Sequence, residues 1–130
     1  MIVVDASMLA SALVDAGPVG KASAARLFGE QLTAPSLIDY EVLSTLRGLV
    51  LGRKLPSEDA ERALRALPAL PVERASCERL LPRIWELRAN YSAYDASYVA
   101  LAEKLNVPLV TGDAKLKRGS GARCVIELVG

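Results

Sequence analysis

Histidine is absent from all 130 residues. That removes Ser-His-Asp triads, Cys-His dyads, histidine-based ribonuclease chemistry and histidine-containing zinc sites together. Cysteine is scarce: Cys77 and Cys124 are the two, too few for a four-cysteine zinc site or a disulfide framework. One bridge stays open, although two isolated thiols in an apolar chain read as buried and reduced. An excess of either charge is also missing, since 16 Lys+Arg face 15 Asp+Glu for a net +1. Any site for a polyanion must therefore be a local patch. Aromatics make up 5%, so only Phe28, Tyr40, Trp85, Tyr91, Tyr94 and Tyr98 are available to stack on bases. No apolar run reaches the roughly 18 residues that a membrane span requires. The first apolar stretch is broken by Asp5 and has no basic leader, so it does not read as a signal peptide, and the cytoplasm is the expected location. Carboxylates, hydroxyls, lysine, arginine and tyrosine remain for chemistry.

Hydrophobic residues make up 52% and charged residues 24%. That is enough apolar matter for a packed core, and the length fits one domain over residues 1–130. Ile2-Val3-Val4 reads as a buried strand ending at Asp5. Ser7 is the expected cap of a helix through Val14, and a second helix follows from Pro18 to Gly29. Leu32-Thr33-Ala34 is a short strand stopped by Pro35. Ser36 is expected to cap a helix from Leu37 to Leu51, closed by Gly52. Another helix opens at Pro56-Ser57-Glu58-Asp59 and ends near Leu67-Pro68. A weak strand from Leu70 to Glu73 comes next, then a helix from Ser76 to Ala89 that Pro82 must kink or delay. Ser92-Ala93-Tyr94-Asp95 has the form of a capping box for a helix through Leu105. Pro108 to Thr111 is a strand, Ala114 to Lys117 a short helical turn, and Cys124 to Leu128 the last strand. Strands alternate with helices throughout, which predicts an α/β sandwich with a mainly parallel sheet.

Acids stand where such a fold keeps its ligand crevice. Asp5 ends the first strand, and Asp113 follows Leu109-Val110-Thr111-Gly112, with Gly112 giving the backbone freedom to turn; the carboxyl ends of parallel strands form the crevice. Each of the two fits a helix cap as well. Asp95 shares a helical arc with Tyr98, Val99, Leu101, Ala102 and Leu105, while Ser97, Glu103 and Lys104 fall outside it. A carboxylate on a buried face needs backbone N–H groups, a cation or a metal, and a capping box is the alternative. Glu41 lies opposite the apolar arc of Val42, Leu43, Leu46, Leu49 and Val50, beside Ser44, Thr45 and Gly48. That is the composition of a groove wall, though a solvated glutamate explains it too. Asp39 is a rival acid in the same first turn, free to serve the macrodipole or bond locally. Four converging carboxylates would repel one another unless a hard divalent cation neutralised them, and all-oxygen ligands point to Mg²⁺ or Mn²⁺. Such an arrangement suits hydrolysis of a phosphodiester by a metal-activated water. A phosphoacceptor module of the receiver type is the contrasting reading. It wants an acidic pair after the first strand, and here Ala6 follows Asp5.

Four blocks carry a resemblance. They are Ile2-Val3-Val4-Asp5-Ala6-Ser7; Pro35-Ser36-Leu37-Ile38-Asp39-Tyr40-Glu41-Val42; Leu80-Leu81-Pro82-Arg83-Ile84-Trp85-Glu86-Leu87-Arg88 with Tyr94-Asp95-Ala96-Ser97-Tyr98-Val99-Ala100-Leu101-Ala102-Glu103; and Leu109-Val110-Thr111-Gly112-Asp113-Ala114-Lys115-Leu116. In this order, over nearly the whole chain, they resemble the VapC toxins of the PIN-domain family. The resemblance implies a PIN-like three-layer α/β/α sandwich. It also implies an acidic quartet of Asp5, Glu41, Asp95 and Asp113 that holds Mg²⁺ or Mn²⁺, with Asp5 and Asp95 foremost and the hydroxyls of Ser7 and Thr111 orienting it. The implied activity is that of a ribonuclease toxin neutralised by a cognate VapB-type antitoxin, usually as a homodimer. Leu51 to Arg74 is the stretch the family leaves variable. A non-catalytic, partner-binding PIN domain is disfavoured by the intact acids. Arg47, Arg53 and Lys54, and Lys115, Lys117 and Arg118, are candidate phosphate contacts for RNA, with ordinary solvated side chains as the alternative. Tyr98 and Trp85 are expected in the core or at a dimer interface.

Overall fold

The computed structural model describes residues 1–130. Five short strands make one sheet: β1 (Ile2–Val4), β2 (Leu32–Pro35), β3 (Val72–Ala75), β4 (Leu109–Thr111) and β5 (Ile126–Leu128). Seven α-helices join them: α1 (Ala6–Val14), α2 (Pro18–Leu27), α3 (Ile38–Leu51), α4 (Ser57–Ala66), α5 (Leu81–Glu86), α6 (Ala93–Leu105) and α7 (Ala114–Arg118). The strand order is β3-β2-β1-β4-β5, and every pairing is parallel. The apolar runs explain why: β1 and β4 are buried at all six positions, as strands covered on both faces must be. The α/β sandwich expected from the alternation of elements is the one observed.

The order also says where helices go. From β1 the chain steps outward through β2 to β3, then crosses back to β4 and β5 on the other side of β1. Right-handed crossovers put α1 to α4 on one face and α5 and α6 on the other. The direction of travel reverses between β1 and β4. In an open parallel sheet the crevice at the strands' carboxyl ends opens at that point.

Local differences from the sequence reading have physical reasons. Asp5, not Ser7, caps α1, accepting from the Met8 N–H, because the strand runs straight into the helix without a linker. Ser36 caps nothing; Leu37 stands at the helix start without a side-chain cap, and Pro35 is the last residue of β2 rather than its stop. The third strand lies two residues later than Leu70–Glu73. The Arg74 guanidinium fixes it there, bonding the carbonyls of Leu67, Leu70 and Val72 as well as Asp39. The helix expected from Ser76 is a 3₁₀ turn at Glu78–Leu80 followed by α5. Pro82 falls in the first turn of α5, where its missing N–H costs nothing. The last strand starts only at Ile126.

The helix α6 departs most from its arc reading. Residues 96–102 are all buried, including Ser97, whose hydroxyl donates to the Tyr94 carbonyl. A helix pressed between the sheet and α5 is apolar all round, so periodicity cannot single out one face. Trp85 is not in the core: it is 68% exposed, with the Arg88 guanidinium stacked over its ring.

Candidate functional site

A hollow of about 350 Å³ opens at the β1/β4 reversal, lined by Asp5, Ala6, Ser7, Glu41, Ser44, Thr45, Asp95, Tyr98 and Asp113. All four acids singled out in the sequence meet there, from β1, α3, α6 and the end of β4. No lysine or arginine is among the lining residues. Ser44 and Thr45 share it with Glu41, as the small polar face of α3 requires.

Asp5 is the best-held of the four. It is 5% exposed, and its Oδ1 accepts from Ser7 Oγ at 2.7 Å and the Met8 N–H at 3.1 Å. Thr111 Oγ1 donates to Oδ2. Both hydroxyls are held in turn by the loop after β4. The Gly112 N–H donates to Ser7 Oγ at 2.9 Å, and the Asp113 N–H donates to Thr111 Oγ1 at 2.9 Å. Two relays thus run from one loop to the two oxygens of one carboxylate. Gly112 does not sit in the left-handed region, so the loop needs its size and not its conformational freedom. A Cβ at Gly112 would stand 3.3 Å from Ser7 Oγ.

Capping and site membership are not exclusive here. Asp5 caps α1, and Asp113 caps α7 by accepting from the Lys115 N–H at 2.9 Å, yet both carboxylates line the hollow. Asp95 sits in the first turn of α6, and Ser92 Oγ accepts from its N–H at 3.1 Å. Asp95 is half-buried rather than enclosed, because the helix start lies at the rim. Asp39 stays out of the hollow, in an ion pair with Arg74 at 2.9 Å.

The electrostatics record the crowding. Burial pushes Asp5 above the ordinary carboxylate range, against its three hydrogen bonds and with help from the Asp113 charge. Burial likewise raises Glu41, with Asp95 and Asp5 adding to it and Tyr98 opposing. Burial raises Asp95, with Asp113 adding and Lys115 opposing. Like charges in a partly dry hollow disfavour one another's ionised forms.

The residue the sequence reading undervalued is Tyr98. Its ring is 1% exposed, as a core residue should be. Its hydroxyl nevertheless lies in the hollow and donates to Glu41 Oε1 at 2.6 Å. Burial and then Glu41 push the phenol's ionisation far upward, so it remains a donor. Its spacing of one helical turn from Asp95 is the sequence signal that was available.

The basic candidates are scattered. Lys115 is the one whose charge reaches Asp95. Lys117 donates to the Ile126 carbonyl at 2.7 Å, and Arg118 ends α7, exposed. Arg47 lies on the wall of a separate trough between α3 and α4, with Tyr40, Leu43 and Leu64. Arg53 and Lys54 follow the end of α3, more than about 15 Å of helix rise beyond Glu41.

Oxygen donors without a competing cation suit a hard divalent ion. No group of three acidic side chains stands close enough to ligate one ion directly as placed. Mg²⁺ does not need that, since it keeps several waters and is held through one or two carboxylates.

Sheet order, strand-end acids and hollow define an α/β fold with a carboxylate-lined crevice. The family model for the PIN domain matches residues 2–121, and the chain belongs to the PIN-domain family, among its VapC-type members. Its relatives include the Ribonuclease VapC9 of Mycobacterium tuberculosis, 47% identical over 129 residues that cover 99% of this chain and 98% of that one. Among solved structures, the fold is shared with M. tuberculosis VapC20, described as a sarcin-ricin loop cleaving toxin. The TM-score is 0.68 at 19% identity, covering 90% of this chain and 93% of that one. It is shared too with VapBC2 from Rickettsia felis, solved with a DNA fragment from its promoter, at a TM-score of 0.68, 16% identity and full coverage of both chains.

Proposed function

We propose that this chain is a divalent-metal-dependent endoribonuclease, the toxin of a VapBC toxin-antitoxin pair. The observation that carries the reading is the convergence of Asp5, Glu41, Asp95 and Asp113 on one hollow whose lining holds no cationic side chain. The near-complete match to a protein named as a VapC ribonuclease supports the substrate class. Asp5 and Asp95 would hold Mg²⁺, or Mn²⁺ in its place, with Glu41 and Asp113 completing the acidic set. Bound there, the ion supplies an acidified water and neutralises charge on the scissile phosphate. The chain's own residues prepare the ground. Ser7 and Thr111 fix the Asp5 carboxylate so that little reorganisation is needed at the moment of reaction. Lys115 is the near cation at the rim for a backbone phosphate, read without regard to sequence.

The reading includes a cognate VapB-type antitoxin as inhibitor, a homodimer as the working form and a cytoplasmic site of action. An arginine from the antitoxin is the natural group to enter a crevice with this charge.

The test is cleavage of a panel of structured RNAs by the purified protein, with mapped ends. Cleavage that requires Mg²⁺ or Mn²⁺ and is lost in folded Asp5→Asn and Asp95→Asn variants is the expected result. Equal cleavage by the folded double variant would remove the acidic site from the reaction. A phosphodonor that adds phosphate mass to Asp5 would favour the phosphoacceptor reading instead.

A further inference from the structure

The hydrogen bond from Tyr98 to Glu41 is the only one between α3 and α6, helices that right-handed crossovers put on opposite faces of the sheet. Tyr98 is the largest fully buried side chain in the molecule. It is anchored in a helix that packs on β1, β2 and β4. Its hydroxyl emerges from that core only at the acidic hollow. Glu41, on the other side, is a long side chain with three rotatable bonds, and within the protein no other donor reaches its carboxylate. A flexible carboxylate must lose rotamer freedom before it can act as a ligand. A rigid phenol already bonded to one of its oxygens removes that freedom in advance, through a charge-assisted bond.

We propose that Tyr98 is a positioning residue of the acidic site: its buried phenol holds Glu41 Oε1 from the core side and leaves Oε2 free to face a divalent cation through one of the waters the ion keeps. The proposal rests on the reading of the hollow as a metal site and adds to it a device that presents one oxygen of Glu41 in a fixed orientation to the ion's waters. Partners that orient metal-binding side chains are worth roughly tenfold or more in metal affinity.

Mn²⁺ binding to the full chain, measured by titration calorimetry, tests this. Tyr98→Phe removes one oxygen and should weaken Mn²⁺ by roughly tenfold. In a Glu41→Ala background the same change should cost less than about twofold, because its partner is already gone. Equal affinity in the unaltered protein and Tyr98→Phe overturns the proposal. So does a loss of the same size with and without Glu41, which is what a purely structural tyrosine would give. If the unaltered protein binds no Mn²⁺, the metal-site reading itself fails, and the two failures are thereby told apart. A second measurement does not depend on the variant folding. The Tyr98 hydroxyl proton, protected and bonded to a carboxylate, should give a downfield proton resonance that moves during a Mg²⁺ titration of the unaltered protein. A resonance that ignores saturating Mg²⁺ overturns the proposal.

Discussion

The buried and partly buried acids of this protein fall into two populations. Away from the hollow, each of them is matched with an arginine, while exposed acids such as Asp15, Glu58 and Glu73 have none. Glu103 takes two bonds from Arg83, at 2.7 and 3.0 Å; Glu127 and Glu30 share Arg26; Asp39 has Arg74. In the hollow, Asp5, Glu41, Asp95 and Asp113 meet hydroxyls, backbone N–H groups and one another. The consequences are opposite in sign. Hydrogen bonds and charge from Arg83, outweighing burial, hold Glu103 below the ordinary range, and Arg26 does the same for Glu127. Burial and like charge hold Asp5, Glu41 and Asp95 above it. Arginine was available and was used elsewhere. The hollow is therefore a place where negative charge is kept without an internal counter-ion, to be met by a cation from outside.

The largest way to break this contrast is Asp5→Asn. It keeps the shape and most of the hydrogen bonds and removes the charge. RNA cleavage should fall on the order of a thousandfold, by gel or mass-spectrometric assay, with the circular dichroism spectrum unchanged. Full activity in that variant would abolish the contrast. Next in size is stabilisation by metal. At free Mn²⁺ about a hundredfold above its dissociation constant, stability should rise by about 2.7 kcal/mol. That is roughly 10 °C in Tm by scanning calorimetry, and most of the rise should vanish in Asp5→Asn.

A smaller effect comes from the other population. Arg83→Met leaves Glu103, 12% exposed at its side chain, without its counter-ion and should cost about 2–3 kcal/mol in chemical denaturation. Mn²⁺ affinity should not change. If it falls as well, the two populations are not independent.

The smallest effect is in pH, and its sign differs between the two sets. Acids whose folded-state values are raised bind protons first in the folded state. Their contribution makes stability fall as pH rises from about 4, the unfolded value, through the raised folded values. Acids whose values are lowered, Glu103 and Glu127, stabilise above the unfolded value and lose that contribution as pH falls through the folded one. In chelator, Tm should therefore fall as pH rises above about 4, and saturating Mg²⁺ should lessen that fall. An identical Tm profile with and without Mg²⁺ would count against the hollow as the seat of the raised carboxylates.

Much of this is legible in the sequence. The runs Ile2-Val3-Val4 and Leu109-Val110-Thr111 announce strands buried on both faces, and an acid at or just past the end of each falls at the crevice of any parallel sheet. Glu41 was readable from the small, polar company it keeps on α3. The remainder depends on long-range meetings that no local pattern encodes. Tyr98 reads as core because its ring is core; only the fold shows that its hydroxyl comes out opposite a glutamate 57 residues away. Arg74 and Asp39 are 35 residues apart, and their pairing is what keeps Asp39 from competing with Glu41. The helical arc places Asp95 on a buried face, but α6 is buried around its whole circumference for two turns, and Asp95 is half-buried because it sits at the end. The basic residues gave the weakest signal. Lysines and arginines near a site in sequence are exposed almost anywhere, and Arg53 and Lys54 lie past the far end of α3 from Glu41.

The four carboxylates of the hollow are proposed to hold one divalent ion drawn from solution, at most two of them directly and the others through its waters. Anomalous scattering from a crystal soaked in Mn²⁺ locates such an ion. A peak in the hollow, beside the carboxylates of Asp5 and Asp95, is the expected result. A well-diffracting, fully soaked crystal with no peak there, or with manganese bound only at the arginine-paired acids, would contradict it.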